Sequence, residues 1–98
     1  LIITYDMQMF SGINERNQGI FDSGLFSMSL LYSLHYMKLG ACALNWSSTK
    51  KKTKELKKLL KIPESQKVTL MISVGNLEDT FEITRTIRRD TEEIYKIL

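Results

Sequence analysis

Hydrophobic and polar positions along the chain fall into six segments. Leu1 to Tyr5 is apolar on both faces apart from Thr4 and rich in β-branched residues, the pattern of a centrally buried strand. Asp6 to Ile20 collects Gly12, Gly19, Asn14, Asn17 and Gln18 and predicts a long connection, of a length that often lines a site. Asp22 or Ser23 is a suitable N-cap for a helix running to about Leu39, with Gly40 as its stop. That helix is apolar nearly all round, since Leu25, Phe26, Met28, Leu30, Leu31, Leu34 and Met37 share no single stripe. Its serines allow close approach of neighbours, and a short chain has little with which to cover it.

Ala41 to Leu44 predicts a short buried strand, ended by Asn45-Trp46-Ser47-Ser48. Thr49 to Lys61 carries Leu56, Leu59 and Leu60 at helical spacing beneath its lysines, with Pro63 marking the end. Val68 to Val74 alternates, placing Val68, Leu70, Ile72 and Val74 on one face of a strand that Gly75-Asn76 turns. Asp79 to Arg89 predicts irregular or extended chain. Asp90 then caps a short terminal helix with acids in its first turn. The order is strand, helix, strand, helix, strand, helix, without internal repeat or low-complexity linker.

The chain has 98 residues, which bounds it to one domain. Its 43% hydrophobic and 26% charged residues exclude disorder and collagen-like repeats. The single Cys42 excludes an internal disulfide and fits a reducing compartment. Opening inside a strand, without a Met, points to a segment of something longer.

Charge is unevenly placed. Residues 1–49 hold two basic and three acidic groups, whereas residues 50–98 hold twelve basic and eight acidic groups. The excess lies in Lys50, Lys51, Lys52, Lys54, Lys57, Lys58 and Lys61, opposed locally by Glu55. Such a stripe attracts phosphates or anionic surfaces, but no Arg or aromatic interrupts it, which favours a solvated helix face over nucleic-acid readout. The uncharged run Gly24 to Met37 is fourteen residues, short of a membrane span, and no signal peptide is visible. A cytoplasmic chain without membrane attachment is the expectation.

No metal set is expected from one His and one Cys. Cys42 and His35 are expected in packing roles, Cys42 within an apolar strand and His35 in the core or an interface. The five glycines form no phosphate-loop or dinucleotide fingerprint. With no convincing acid–base site, chemistry in an enzyme containing this chain falls to a cofactor.

Four motifs recur in a familiar order: Asp22-Ser23-Gly24 opening the uncharged helix, Lys38-Leu39-Gly40-Ala41-Cys42, Leu59-Leu60-Lys61-Ile62-Pro63-Glu64, and Ser73-Val74-Gly75. Together they resemble the C-terminal half of the FMN-dependent nitroreductase family, from Leu1 to about Arg89. The family commonly shows an Asp-x-Gly helix start, a Gly-Leu-Gly-Thr-Cys strand, a leucine-rich helix ending in Gly-Ile-Pro-Glu, and a strand ending in Gly-Tyr-Pro. Lys38, Ala41 and Asn76-Leu77 depart from that pattern.

The resemblance implies an α+β fold, half of a nitroreductase-like mixed sheet flanked by helices, with residues 1–98 as one partial domain and 85–98 as a tail carrying the terminal helix. It implies FMN as cofactor, NAD(P)H as hydride donor in a ping-pong reaction, and a nitroaromatic, quinone or similar acceptor. Mapped onto this sequence, the loop laid against the flavin is Ala43, Leu44 and Asn45, with Trp46 adjacent, contributing backbone N–H groups. Arg85, Arg88 and Arg89 occupy the region whose basic pair binds the FMN phosphate. From the residues alone, the same arginines also fit a solvated tail pairing with Glu82, Asp90 or Glu92. No catalytic side chain is expected. The family's N-terminal Arg-Ser-x-Arg type motif is absent, so the isolated chain is expected to be inactive. The resemblance also implies a homodimer packed through the 24–37 helix. The competing readings are a non-enzymatic basic binding module using the Lys50–Lys61 helix, and a cofactor-less remnant of the fold.

Overall fold

A computed structural model describes residues 1–95. Its elements, in chain order, are β1 (Ile2–Asp6), α1 (Gln18–Tyr36), β2 (Leu39–Asn45), α2 (Lys50–Leu60), β3 (Gln66–Asn76) and α3 (Thr91–Ile94). Two short 3-10 turns, Met7–Met9 and Ile13–Glu15, structure the connection from β1 to α1. The α+β class expected from the sequence is the one found.

The three strands form one sheet in the order β1-β3-β2. Both pairings are antiparallel, so the expected mixed pairing does not occur among the described strands. The reason is topological. α1 carries the chain from β1 to β2 as a crossover between strands of the same direction, but β3 inserts between them and runs the other way, a split β-α-β unit. β1 is consequently an edge strand, not the central one its apolar pattern predicts, and only Ile3 in it is buried.

α1 begins at Gln18, so Asp22 and Ser23 lie inside it and cap nothing. It ends at Tyr36, and Gly40, expected as the stop, pairs with Gly75 inside the sheet. Lys38 instead takes the positive φ, 60°, that turns the chain into β2. α1 lays small residues on the sheet: Gly19, Ser23 and Ser27 are buried, followed by Leu34. The buried hydroxyls are satisfied within the helix, Ser23 donating to the carbonyl of Gly19 and Ser27 to that of Ser23, both at 2.6 Å. Small residues inward leave large ones outward, and Phe21, Leu25, Phe26 and Tyr32 are all more than half exposed.

The core is correspondingly thin. Ile3, Leu34 and Ile72 are its buried apolar members, with Leu30, Leu31, Leu39 and Leu70 packed around them. A one-residue register slip between Ile3 and Thr4 sets Val68 opposite Thr4, moving it off the face shared by Leu70 and Ile72. Gly75 and Asn76, expected as a turn, extend β3 to its end. Ala41 to Leu44, expected as buried strand, are exposed, because β2 is the other edge and α1 packs against it without burying these residues.

α2 is capped by Thr49, whose hydroxyl accepts from the Lys52 N–H at 3.3 Å, and closes on Lys61 at φ 55°. Its contact with the sheet is sparse. The leucines expected beneath the lysines are not uniformly buried, since Leu59 is 77% exposed, while Lys57 is buried. Lys57 turns inward because its ammonium donates to the Glu64 carbonyl at 3.0 Å and the Glu64 carboxylate at 3.4 Å, while its stem packs. Residues 79–90 carry no regular element, as expected, and α3 starts at Thr91 after Asp90. The last part of the expected terminal helix, 96–98, lies outside the described residues.

The radius of gyration is 17.1 Å. A compact chain of this length would have about 13 Å. The accessible surface is 9094 Å², against roughly 5,800 Å² for a compact protein of this size.

Candidate functional site: the open edge of β2

The backbone of β2 follows from one pair of hydrogen bonds on the far side of the sheet. The Leu1 amino group donates to the Ile72 carbonyl at 2.7 Å, and the Ile72 N–H donates to the Leu1 carbonyl at 2.8 Å. Ile72 therefore directs both of its backbone groups toward β1. Its partner on β2 is Ala43, which must then turn its own N–H and C=O away from β3. By alternation, Ala41 and Asn45 do the same, whereas Cys42 and Leu44 face β3. The register between β2 and β3 is regular from Leu39↔Asn76 to Asn45↔Leu70, so the alternation is unbroken.

Of the three residues expected to offer backbone N–H groups, Ala43 and Asn45 thus present theirs at an open edge. Leu44 spends its own inside the sheet. They sit within a strand, not in the loop that was expected, because Gly40-to-Asn45 pairs fully with β3. Trp46 follows at once and is half-buried, its indole N–H donating to the Thr53 hydroxyl at 3.1 Å. That bond ties the end of β2 to the first turns of α2 and fixes the chain leaving Asn45.

Arg85, Arg88 and Arg89 are exposed on the irregular segment before α3. Among the described residues no ion pair engages them, with Glu82, Asp90, Glu92 or any other acid; the ion pair found is Lys57–Glu64. No hydrogen bond joins them to β2 among the described residues. The fold therefore brings Ala43 and Asn45 together and leaves the three arginines as a separate cationic arm. Cys42 and His35, expected in packing roles, are both exposed, Cys42 because its strand is an uncovered edge and His35 because it lies on the outward side of α1. Among the described residues no group of three or more His, Cys, Asp or Glu side chains is arranged to hold a metal ion. No helix of the described residues is long and apolar enough to cross a membrane.

Lysines 50, 51, 52, 54, 58 and 61 form an exposed face on α2, with Lys57 withdrawn to Glu64. Residue-level reading of the sequence missed a different place. At the opposite sheet edge, the β1–α1 connection folds beside Tyr5 and forms a small, open-mouthed cavity. The signal for it was the length of that connection.

No family model and no curated protein matches the sequence. Among solved structures, the chain is similar to a Clostridium acetobutylicum protein provisionally named an NADH oxidase, with a TM-score of 0.65 and 22% sequence identity. The likeness covers 96% of this chain and 54% of the neighbour, so the chain spans about half of that protein's length. It is a likeness of fold. The partial nitroreductase-like α+β arrangement implied by the motifs is what the two have in common.

Proposed function

We propose that this chain is the C-terminal part of an FMN-dependent NAD(P)H oxidoreductase of nitroreductase type. The observation that carries the reading is the open edge of β2, where Ala43 and Asn45 turn unpaired N–H groups outward in a fold like that of the NADH oxidase neighbour. Bound FMN would supply hydride transfer from NAD(P)H to a nitroaromatic, quinone or similar acceptor. The donors fit that group singly and not as a pair, because N–H groups two residues apart on a strand stand about 6.8 Å apart, whereas flavin N5 and O4 are neighbouring atoms. Flavin N5 and O4 accept hydrogen bonds, and backbone N–H groups fixed by a sheet are donors that need no reorganisation. Leu44 flanks them and contributes apolar surface, since it is 46% exposed beside them.

Arg85, Arg88 and Arg89 suit the phosphate, because a guanidinium donates two parallel charge-assisted bonds and, among the described residues, no acid engages these three. None of these residues moves a proton or forms a bond. Their work is binding and orientation.

A homodimer packed through α1 belongs to the same reading. Support comes from the outward Phe21, Leu25, Phe26 and Tyr32.

Flavin fluorescence quenching by the purified protein tests the proposal. FMN should bind at least about tenfold tighter than riboflavin, which has the ring but no phosphate. Replacing Arg85, Arg88 and Arg89 together by Ala should bring that ratio to about one and leave riboflavin binding unchanged. An unmodified protein that quenches neither flavin, or that binds both equally, refutes the assignment. The isolated 98 residues are expected to show no NADH oxidation, as the Arg-Ser-x-Arg type grip is absent.

A further inference from the structure

We infer that the cavity at the β1 edge is a binding site for a small aromatic carboxylate, separate from the proposed flavin edge. It lies across the sheet from Ala43 and Asn45, since β3 stands between β1 and β2. Its volume is about 200 Å³. That is below the range of drug-sized pockets and suited to a single ring.

One wall is aromatic. Tyr5 and Phe10 meet edge to face, with ring centroids 5.9 Å apart and planes at 79°. The Tyr5 ring is held from behind by α1, which comes so close that only a glycine fits at position 19. Met7 adds a polarisable side chain to the same wall. A third ring entering here meets faces and edges already oriented for it.

The rim also carries cations, Lys67 beside Tyr5 as its cross-strand partner. Arg16 and Lys67 line the cavity, both exposed, and among the described residues neither is engaged in an ion pair. Glu15 also lines it, but the carboxylate has another task. Its Oε2 accepts the N–H groups of Ser11 and Gly12, each at 3.0 Å, and so pins the loop that forms the mouth. Two cations against one structurally committed carboxylate leave the mouth net positive. An aromatic wall in the same pocket as a guanidinium free of ion pairs among the described residues is complementary to a planar ring bearing a planar anion, with Arg16 able to take both carboxylate oxygens.

Benzoate is the probe, titrated into the full chain and followed by chemical-shift changes of the Tyr5 and Phe10 ring protons. Saturable binding in the millimolar range or tighter is expected for nine heavy atoms. Acetate, which lacks the ring, and benzyl alcohol, which lacks the charge, should each bind at least about tenfold more weakly. Arg16→Gln, at an exposed position that leaves the fold intact, should weaken benzoate about tenfold, and Phe10→Leu should do the same through the wall. Lys58→Gln, on α2, should change nothing. Absence of saturable shifts, equal binding of acetate, or an Arg16→Gln variant that binds as before overturns the inference. Because none of these readouts involves flavin, the site stands or falls independently of the FMN reading.

Discussion

Gly19→Ala tests how tightly β1 and α1 are fitted together. A Cβ at position 19 would stand 2.6 Å from both Cγ and Cε2 of the Tyr5 ring. Cγ is the root of the ring, so a flexible tip cannot swing aside. Tyr5 would have to change rotamer against Phe10, or α1 would have to lift from the sheet. Overpacking of this kind costs about 1–3 kcal/mol. Alanine recovers up to about 1 kcal/mol of helix propensity, and less in the first turn, where Gly19 lies. The net expectation is a loss of about 1–2 kcal/mol. In a Tyr5→Ala background the obstruction is gone and only the propensity gain remains, so the same substitution should stabilise by about 0.5 kcal/mol. The sign reverses between backgrounds, with a coupling of about 2 kcal/mol. Urea unfolding followed by circular dichroism measures all four proteins, and unchanged slopes license the comparison. Gly19→Ala shifting stability in the same direction in both backgrounds would refute the packing argument.

Three further substitutions probe α2 and the chain that follows it. Lys61→Gly should stabilise by about 0.5–1 kcal/mol, because Lys61 holds φ at 55° where a side chain is disfavoured; an unchanged or lower urea midpoint would contradict it. Lys57→Ala should cost about 1–2 kcal/mol by stripping the Glu64 carbonyl of its donor and the stem of its packing. Glu64→Gln should cost less than about 0.5 kcal/mol, as that side chain is 81% exposed. Equal costs in the two variants would show that the ion pair, not the carbonyl bond and stem, holds Lys57.

Much of the fold is legible from hydrophobic periodicity. β1, α2 and β3 fall where their patterns put them, and α1 contains the apolar run that predicts it. What misleads are the glycines, because their local meaning is overridden by tertiary fit. Gly19 looks like loop but is helical, as α1 must pass directly over Tyr5. Gly40 looks like a helix stop but is sheet, and a Cβ there would come within 3.1 Å of the Leu77 side chain. Lys38 takes the left-handed turn instead, where composition gives no hint. Edge or centre is equally invisible in a strand's own residues. Leu1 to Tyr5 and Ala41 to Leu44 carry the composition of buried strands but lie at the two margins, because β3, not either of them, takes the middle. For the same reason, Ala43 and Asn45 are mapped only through the motif that precedes them, while the direction of their N–H groups depends on Ile72 and Leu1. The cavity beside Phe10 needs two stretches distant in sequence to meet, residues 5–16 and Lys67 on β3.

The insertion of β3 between β1 and β2 also sets a timetable for biosynthesis. Both outer strands leave the ribosome before the strand that unites them. From the end of β2 at Asn45 to the end of β3 at Asn76, translation takes roughly 2–6 s at 5–20 residues per second. Throughout that interval, α1 and the two outer strands lack the strand that joins them in the sheet of the described residues, and the apolar surface of α1 precedes the full sheet it packs on. A truncation before Gln66 would therefore remove both β-ladders of the described residues at once, and the emerging chain is a candidate for chaperone dependence at that stage of synthesis.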